Sequence, residues 1–390
     1  MLAFTFPGQG SQRPGMGRPW VDHESWELVE EASAVADRDV GRLLLDADAD
    51  ELKDTRNAQL MTFVSSLMVL DAVERLGVEP SLCAGHSLGE YTALTASGAL
   101  SFDEGVRLVC ERAEAMHDAG LENPGTMAAV LGLDDDDVEI ACRLADSDVW
   151  VANFNAPGQV VIAGSSDGVA AATIRAKELG AKKVMPLPVS GAFHTPFMAP
   201  ARDRLRKALA EADLRDTDVP IVSNVDAAAH DRGDEWTTLL SAQLSSPVRW
   251  KQCLITLSDA GVTDYLELGP GGVLTGMAKR SLDDARTISV ATPDELDKLL
   301  EFLSGARQPV RQALEGEHLF ATERLVVSPA AGVFTPSGLA DGTRLEVGDV
   351  LGTVAGQQVR SPFTGVLQSY IAVDGERISA REPVAWLRTV

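Results

Sequence analysis

Positive charge is scarce in this sequence. Only 34 lysines and arginines stand against 58 aspartates and glutamates, a formal net charge of −24. Such a field repels nucleic acid and anionic membrane surfaces, so neither is expected as a partner, and an acidic protein partner must find a local cluster of cations. Cysteine is scarce as well. Cys83, Cys110, Cys142 and Cys253 form no Cys-x-x-Cys pair and lie in stretches that read as buried strands or helices; no disulfide framework, zinc site or other metal site is expected. No apolar run is long enough to span a bilayer: the most apolar helical stretch, 60–70, stops at Asp71 and reads as a core helix. The opening Met1-Leu2-Ala3-Phe4-Thr5-Phe6 leads into a glycine turn without the basic region, apolar core and cleavage site of a signal peptide, which predicts a cytoplasmic location. Lysine is missing after Lys298.

The 390 residues, 45% of them hydrophobic, suffice for a sizeable core and for more than one domain. A strand at 2–6, a Gly-Gln-Gly turn, helical periodicity over 26–36 and 60–76 and a short apolar run at 81–85 have the rhythm of a parallel α/β sheet. From 126 to 189 the order becomes strand 126–133, helix 135–144, strands 149–153 and 159–163, helix 168–179 and strand 183–187, a ferredoxin-like βαββαβ insertion. The acidic run Asp134–Asp137 sits at the first of these helix starts, where carboxylates favour the positive helix end. The α/β rhythm then returns, with strands at 219–223 and 265–268 and a Gly269-Pro270-Gly271-Gly272 turn. The expected layout is an α/β-hydrolase-like parallel-sheet domain over 1–125 and 190–292, the ferredoxin-like subdomain over 126–189, a helical linker over 293–323, and an all-β module over 324–390.

The module contains a repeat: Ser328-Pro329-Ala330-Ala331-Gly332-Val333 is echoed by Ser361-Pro362-Phe363-Thr364-Gly365-Val366, and Gly348-Asp349 by Gly375-Glu376. Two such halves predict a quasi-twofold β-sandwich.

Gly85-His86-Ser87-Leu88-Gly89 fits the Gly-x-Ser-x-Gly nucleophile elbow, with an apolar strand before it and a helical run after it. The glycines permit a turn too tight for side chains, and the turn lifts the Ser87 hydroxyl to a helix mouth, where the helix dipole and the Leu88 amide stabilise an oxyanion. Serine needs a base at neutral pH, usually histidine. His86 lies inside the elbow and is expected to point away from Ser87; His23, His117, His230 and His318 stand in polar settings expected to be exposed. His194 lies in Pro188–Pro196, where the insertion rejoins the main domain and a cleft is expected.

Four motifs occur together and in order: Phe6-Pro7-Gly8-Gln9-Gly10-Ser11-Gln12, the Gly85–Glu90 elbow, Asn153-Phe154-Asn155-Ala156-Pro157-Gly158-Gln159 and Gly191-Ala192-Phe193-His194. Over roughly residues 1–300 this set resembles the malonyl-CoA:acyl-carrier-protein transacylase family and polyketide-synthase acyltransferase domains. The resemblance implies transfer of malonyl from malonyl-CoA to the phosphopantetheine thiol of an acyl-carrier protein, in fatty acid or polyketide synthesis, through a malonyl ester on Ser87 with His194 as base. It also implies an oxyanion hole from the Gln9 and Leu88 amides and a histidine oriented by a backbone carbonyl in the stretch matching Gln243. Arg112 matches the family's carboxylate-binding arginine, and a guanidinium suits a carboxylate bidentately. Gln59 matches another active-site glutamine, although the proline that usually follows it is Leu60 here, and Asn155 falls in the third motif. The Ala192-Phe193-His194 loop implies malonyl over methylmalonyl units, because Phe193 leaves no room for a branch.

The C-terminal halves resemble the biotinyl/lipoyl-like barrel-sandwich fold. Its attachment lysine has no counterpart in Gly352–Val359, so no biotin or lipoate is expected and the module reads as a structural or docking element, with a carrier, carboxylase or synthase partner as the sharper alternative. Two other functions stay open: a serine acyl hydrolase or editing thioesterase on the same fold, and a scaffold acting through the β module.

Overall fold

A computed structural model describes residues 1–189, 191–305, 323–362, 364–378 and 382–388. The chain divides into two compact units, Met1–Gln308 and Pro309–Val390.

The first unit is built on β1 (Leu2–Phe6), an apolar strand whose residues from Ala3 onward are all buried. Three helices follow, α1 (Glu27–Ala36), α2 (Val40–Asp46) and α3 (Thr55–Glu74), then β2 (Leu82–Gly85), α4 (Gly89–Ala96) and α5 (Phe102–Glu122). The sequence reading starts the third helix at 60. It starts earlier because the Asp54 carboxylate accepts from the Arg56 amide and caps it, which puts Gln59 inside the helix with Leu60 simply continuing it. The insertion comprises β3 (Thr126–Leu131), α6 (Asp135–Leu144), β4 (Val149–Ala156), β5 (Gln159–Gly164), α7 (Ser166–Glu178) and β6 (Lys183–Pro186). Its strands form an antiparallel sheet in the order β4-β5-β3-β6, with a core of its own that includes Val130, Val138, Ile162 and Ala172. The main domain resumes with α8 (Ala199–Glu211), β7 (Ile221–Val222), β8 (Ala229–His230), α9 (Gly233–Gln243), α10 (Trp250–Asp259), β9 (Asp264–Leu268), α11 (Val273–Ser281), β10 (Arg286–Val290) and α12 (Leu296–Gly305).

The main sheet runs β10-β9-β1-β2-β7-β8, parallel except for the edge strand β8. Buried on both faces, its inner strands need apolar side chains at every position rather than alternate ones, which is why they are legible. The edge strand β10 escapes the sequence reading because it is half-exposed and polar over Arg286, Thr287 and Ser289. Two backbone hydrogen bonds tie the insertion to the main domain: Phe154 N–H to Val248 O and Val248 N–H to Ala152 O, each 2.9 Å. The acidic run does begin α6, and Asp135 pairs with Lys251 of α10. Cys83, Cys142 and Cys253 are buried, Cys110 is half-buried, and all four are free thiols. Among the described residues no helix is long and apolar enough to cross a membrane.

The second unit holds β11 (Glu323–Val327), β12 (Gly332–Pro336), β13 (Arg344–Leu345), β14 (Val350–Val354), β15 (Gln357–Arg360), β16 (Gly365–Tyr370), β17 (Arg377–Ile378) and β18 (Pro383–Arg388) in two four-stranded sheets, β11-β18-β16-β13 and β15-β14-β12-β17. The first four strands belong to one half and the last four to the other, so each sheet takes strands from both halves and one order maps onto the other. The symmetry reaches single hydrogen bonds: Ser328 N–H to Glu382 O matches Ser361 N–H to Asp349 O, both 2.8 Å, and Gly342 N–H to Leu367 O matches Gly375 N–H to Phe334 O. These pairs correct the repeat read from the sequence. Gly375 corresponds to Gly342, not Gly348; both adopt φ above +80°, where a side chain is disfavoured. Of the 293–323 linker, α12 belongs to the first unit, with Leu299 buried, and 306–322 lies outside the described residues, His318 included.

Candidate active site

The site assembles at the carboxyl ends of adjacent parallel strands, where an open α/β sheet leaves a crevice. Gln9 follows β1, Ser87 follows β2 and Asn224 follows β7. The elbow between β2 and α4 depends on contact distances. A Cβ on Gly85 would fall 1.9 Å from the Gly89 carbonyl, and one on Gly89 would fall 2.1 Å from Phe6 O, so neither position accepts any other residue. Ser87 itself sits at φ 53°, the strained conformation of a nucleophile elbow. Asn224 braces the turn, its Oδ1 accepting from the Ser87 amide at 2.7 Å and its Nδ2 donating to Gly85 O at 2.8 Å.

His194 reaches Ser87 from the end of the insertion, also with a positive φ, 61°. Its Nε2 lies 2.8 Å from Ser87 Oγ and its Nδ1 lies 2.8 Å from the Gln243 carbonyl oxygen. A carbonyl only accepts, so Nδ1 carries the proton and Nε2 is left to accept the serine hydrogen. Burial, reinforced by the nearby Arg112 charge, lowers the His194 pKa to about 3. The imidazole is therefore neutral, and able to act as a base, throughout the neutral range. The expected consequence is an acid limb in the pH profile of kcat/KM for enzyme acylation that lies well below the ordinary histidine value of 6.5, because kcat/KM reports the free enzyme. A limb centred near 6.5 would contradict this geometry.

Arg112 projects from α5 and is 1% exposed. Its Nη1 donates to Gln59 Oε1, and its Nη2 donates to Gln243 Oε1 and to Ser87 Oγ, each at 2.9 Å. Tyr91 lies beneath it, 5.5 Å from guanidinium carbon to ring centroid. Arg112 thus occupies an acceptor lobe of Ser87 Oγ and leaves the hydroxyl hydrogen directed at His194. Gln59 is fully buried and donates to Thr55 Oγ1, which donates in turn to Gln9 Oε1. The Gln9 and Leu88 amides have no protein acceptor among the described residues, which leaves both donors free for an oxyanion.

A cavity of about 190 Å³ holds Ser87, His194, Arg112, Gln9, Asn155 and Phe193 in its wall. The structure thus brings Gln9, Ser87, Arg112, Asn155, Phe193 and His194 to one cavity, with Gln59, Leu88 and Gln243 immediately behind it. The His86 ring turns to Asn155 and Trp250 rather than to the Ser87 hydroxyl, with Nε2 2.9 Å from Asn155 Oδ1, and it lines the same cavity. His23, His117 and His230 are half-buried rather than exposed, and His230 is held between Asp226 and Glu235.

Sequence reasoning misses two groups. Glu90, fully buried, accepts from the Asn224 amide and from Gln243 Nε2; burial raises its pKa to about 7, offset in part by these donors and by Arg112. Its place directly after the elbow was the available signal. Asn224 gives none, because only the fold brings it to Ser87. The first turn of α11, Val273, Leu274 and Met277, also lines the cavity.

Residues 3–303 match the model of the family described as acyl transferase domain. The malonyl CoA-acyl carrier protein transacylase of Bacillus subtilis (strain 168) is 40% identical over 307 residues, covering 77% of this chain and 97% of that protein. The protein of the same name from Escherichia coli (strain K12) is 39% identical over 307 residues, covering 77% and 99%. Among solved structures, an acyl carrier protein S-malonyltransferase from Vibrio cholerae superposes with a TM-score of 0.74 at 38% identity, covering 76% of this chain and 99% of that one. A malonyl-transacylase in complex with its type II polyketide-synthase acyl-carrier protein superposes with a TM-score of 0.75 at 36% identity, covering 77% and 99%.

Proposed function

This chain belongs to the acyl transferase family, and on that premise we propose that it transfers malonyl from malonyl-CoA to an acyl-carrier protein. The observation that carries the reading is Arg112, a buried guanidinium 2.9 Å from the nucleophile's oxygen. Burying such a cation beside a serine is costly unless the acyl group brings a carboxylate to meet it. A hydrolase of uncharged acyl chains has no use for it, and a scaffold none for the set Gln9, Ser87, Arg112 and His194.

In the first half-reaction Ser87 Oγ attacks the thioester carbonyl while His194 Nε2 takes the hydroxyl proton. The oxyanion rests on the Gln9 and Leu88 amides. Collapse breaks the C–S bond, and His194 returns its proton to the departing coenzyme A thiolate. The second half runs in reverse order: the carrier's phosphopantetheine thiol gives its proton to His194, its sulfur attacks the malonyl ester, and Ser87 Oγ is reprotonated as it leaves. No cofactor takes part. Intact-mass analysis after mixing with malonyl-CoA alone tests the reading, with a malonyl adduct on the protein as the expected result.

Phe193, buried at the cavity wall with its ring against Gly191, restricts the space beside the acyl α-carbon. One methyl group of misfit is worth roughly 1–3 kcal/mol, so acylation by malonyl-CoA should exceed that by methylmalonyl-CoA by ~5- to 150-fold. Comparable rates with the two thioesters would defeat this assignment.

The second unit reads as a biotinyl/lipoyl-like barrel-sandwich. The turn joining its halves, Ala355-Gly356, carries no lysine, so the module acts as a docking element for the carrier protein or for a carboxylase or synthase partner, raising local substrate concentration through its covalent link to the enzyme. The relatives lack room for such a module, since this chain covers 97% and 99% of their length with its first 77%. Removing residues 324–390 is expected to raise the KM for carrier protein while sparing malonyl loading; an unchanged KM would refute a docking role. The binding that survives removal is assigned to the exposed cations Lys182, Lys183, Lys279 and Arg280. Arg280 bridges to Gln159 of the insertion at 2.7 Å, and α11, which carries it, begins at the cavity wall.

A further inference from the structure

Glu90 is the one buried carboxylate of the site that the chemistry above does not use. Its two oxygens are both committed as acceptors: Oε1 to the Asn224 amide at 2.5 Å and Oε2 to Gln243 Nε2. Through the first contact it holds Asn224, whose side chain grips the elbow on both sides of His86. Through the second it reaches Gln243, which meets Ser87, Arg112 and His194. The Gln243 Nε2 also donates to Ser87 O at 2.9 Å, its Oε1 accepts from Arg112 Nη2 at 2.9 Å, and its backbone carbonyl accepts from His194.

A side-chain amide has a donor end and an acceptor end, and its neighbours decide which points where. Gln243 lies between a carboxylate, which only accepts, and a guanidinium, which only donates. Its NH2 must face Glu90 and its oxygen must face Arg112. The Ser87 carbonyl favours the same orientation, and the carboxylate completes it by taking the second hydrogen of the Gln243 NH2.

We propose that Glu90 is a positioning residue that selects for acyl groups bearing a carboxylate: by fixing the Gln243 amide it keeps Arg112 aimed into the cavity. The inference rests on the malonyl reading and assigns its selectivity to a group that does not touch substrate.

Glu90→Gln makes the prediction sharp, because it changes hydrogen-bonding polarity with almost no change in shape. The new amide must turn its oxygen to the Asn224 N–H, which sets its NH2 against the NH2 of Gln243. If Gln243 rotates in response, its NH2 meets Arg112 instead. One donor pair clashes in either arrangement. A buried group left unpaired in this way translates to about 10- to 100-fold, and it should fall on malonyl: the KM for malonyl-CoA rises, and the ratio of kcat/KM for malonyl-CoA over acetyl-CoA drops by that factor while acetyl loading changes little. A merely structural Glu90 would depress both thioesters alike.

The test measures loading of the full chain by each thioester, with thermal melting to show that the variant folds. A folded Glu90→Gln with an unchanged malonyl-to-acetyl ratio overturns the inference. If that variant does not fold, Gln243→Met carries the test, since it cuts the link to Arg112 but keeps the backbone carbonyl on His194, and an unchanged ratio there overturns it equally. A wild-type enzyme that loads malonyl while the variants keep its selectivity refutes the role of Glu90 alone; a wild type that prefers acetyl-CoA refutes the malonyl reading and this inference with it.

Discussion

Replacing Ser87 with alanine is expected to abolish the malonyl adduct seen by intact mass and to reduce transfer to carrier protein by on the order of 10⁶. The loss is this large because the substitution removes the only oxygen placed between His194 Nε2 and the Arg112 guanidinium, at 2.8 and 2.9 Å. Among the described residues no neighbouring group can take its place. The Cys253 thiol is no substitute: it is buried and donates to Ser223 O, and burial raises its pKa well above the usual thiol range. Alanine keeps the elbow intact, since Asn224 grips the backbone of Gly85 and Ser87 rather than the hydroxyl. The folded variant should still bind malonyl-CoA. An adduct that persists in Ser87→Ala would mean that the acyl group resides elsewhere.

Arg112→Ala is the second large effect, and its direction depends on the substrate. Truncating one partner of a buried, hydrogen-bonded charge pair costs about 2–5 kcal/mol, so kcat/KM for malonyl-CoA should fall by roughly 30- to 4000-fold. Acetyl-CoA brings no charge to be stranded, and its loading should hold steady or improve, because Ser87 Oγ is released from a donor that lowers its nucleophilicity. The measurement is a competition between the two thioesters for the wild type and the variant. Malonyl transfer that survives Arg112→Ala would remove the main support for the malonyl reading.

The legible parts of this protein are those where local chemistry decides the outcome. The elbow could be read because Gly85 and Gly89 are fixed by contacts within a few residues and with β1. The βαββαβ insertion could be read because each strand and helix carries its own apolar period over Val130, Val138, Ile162 and Val169. The edge strand β10 could not, since its neighbour β9 and half-exposed surroundings, not its own composition, make it a strand. The site divides the same way. Ser87 and His194 stand in short motifs, and Arg112 was identified by resemblance alone, because an arginine in a charged helix looks like a surface residue until the packing of α5 shows which face it shares. Asn224 and the amide orientation of Gln243 were invisible for a stricter reason: both are settled by contacts between segments far apart in the chain. The repeat in the second unit was found from Ser-Pro and Gly-Val, but its register slipped at Gly375, where two glycine-acid pairs resemble each other and only the hydrogen bonds tell them apart.

The exchange of strands between the halves of that unit constrains its history. Each four-stranded sheet is completed by the other half, β13 closing against β16 and β17 against β12. A lineage that lost one half would leave two open sheets with apolar faces and unpaired edges, and such a protein aggregates rather than persists. The duplication is therefore locked once made. Descendants can shed the module whole or keep it whole, and can vary it only at positions that neither sheet needs.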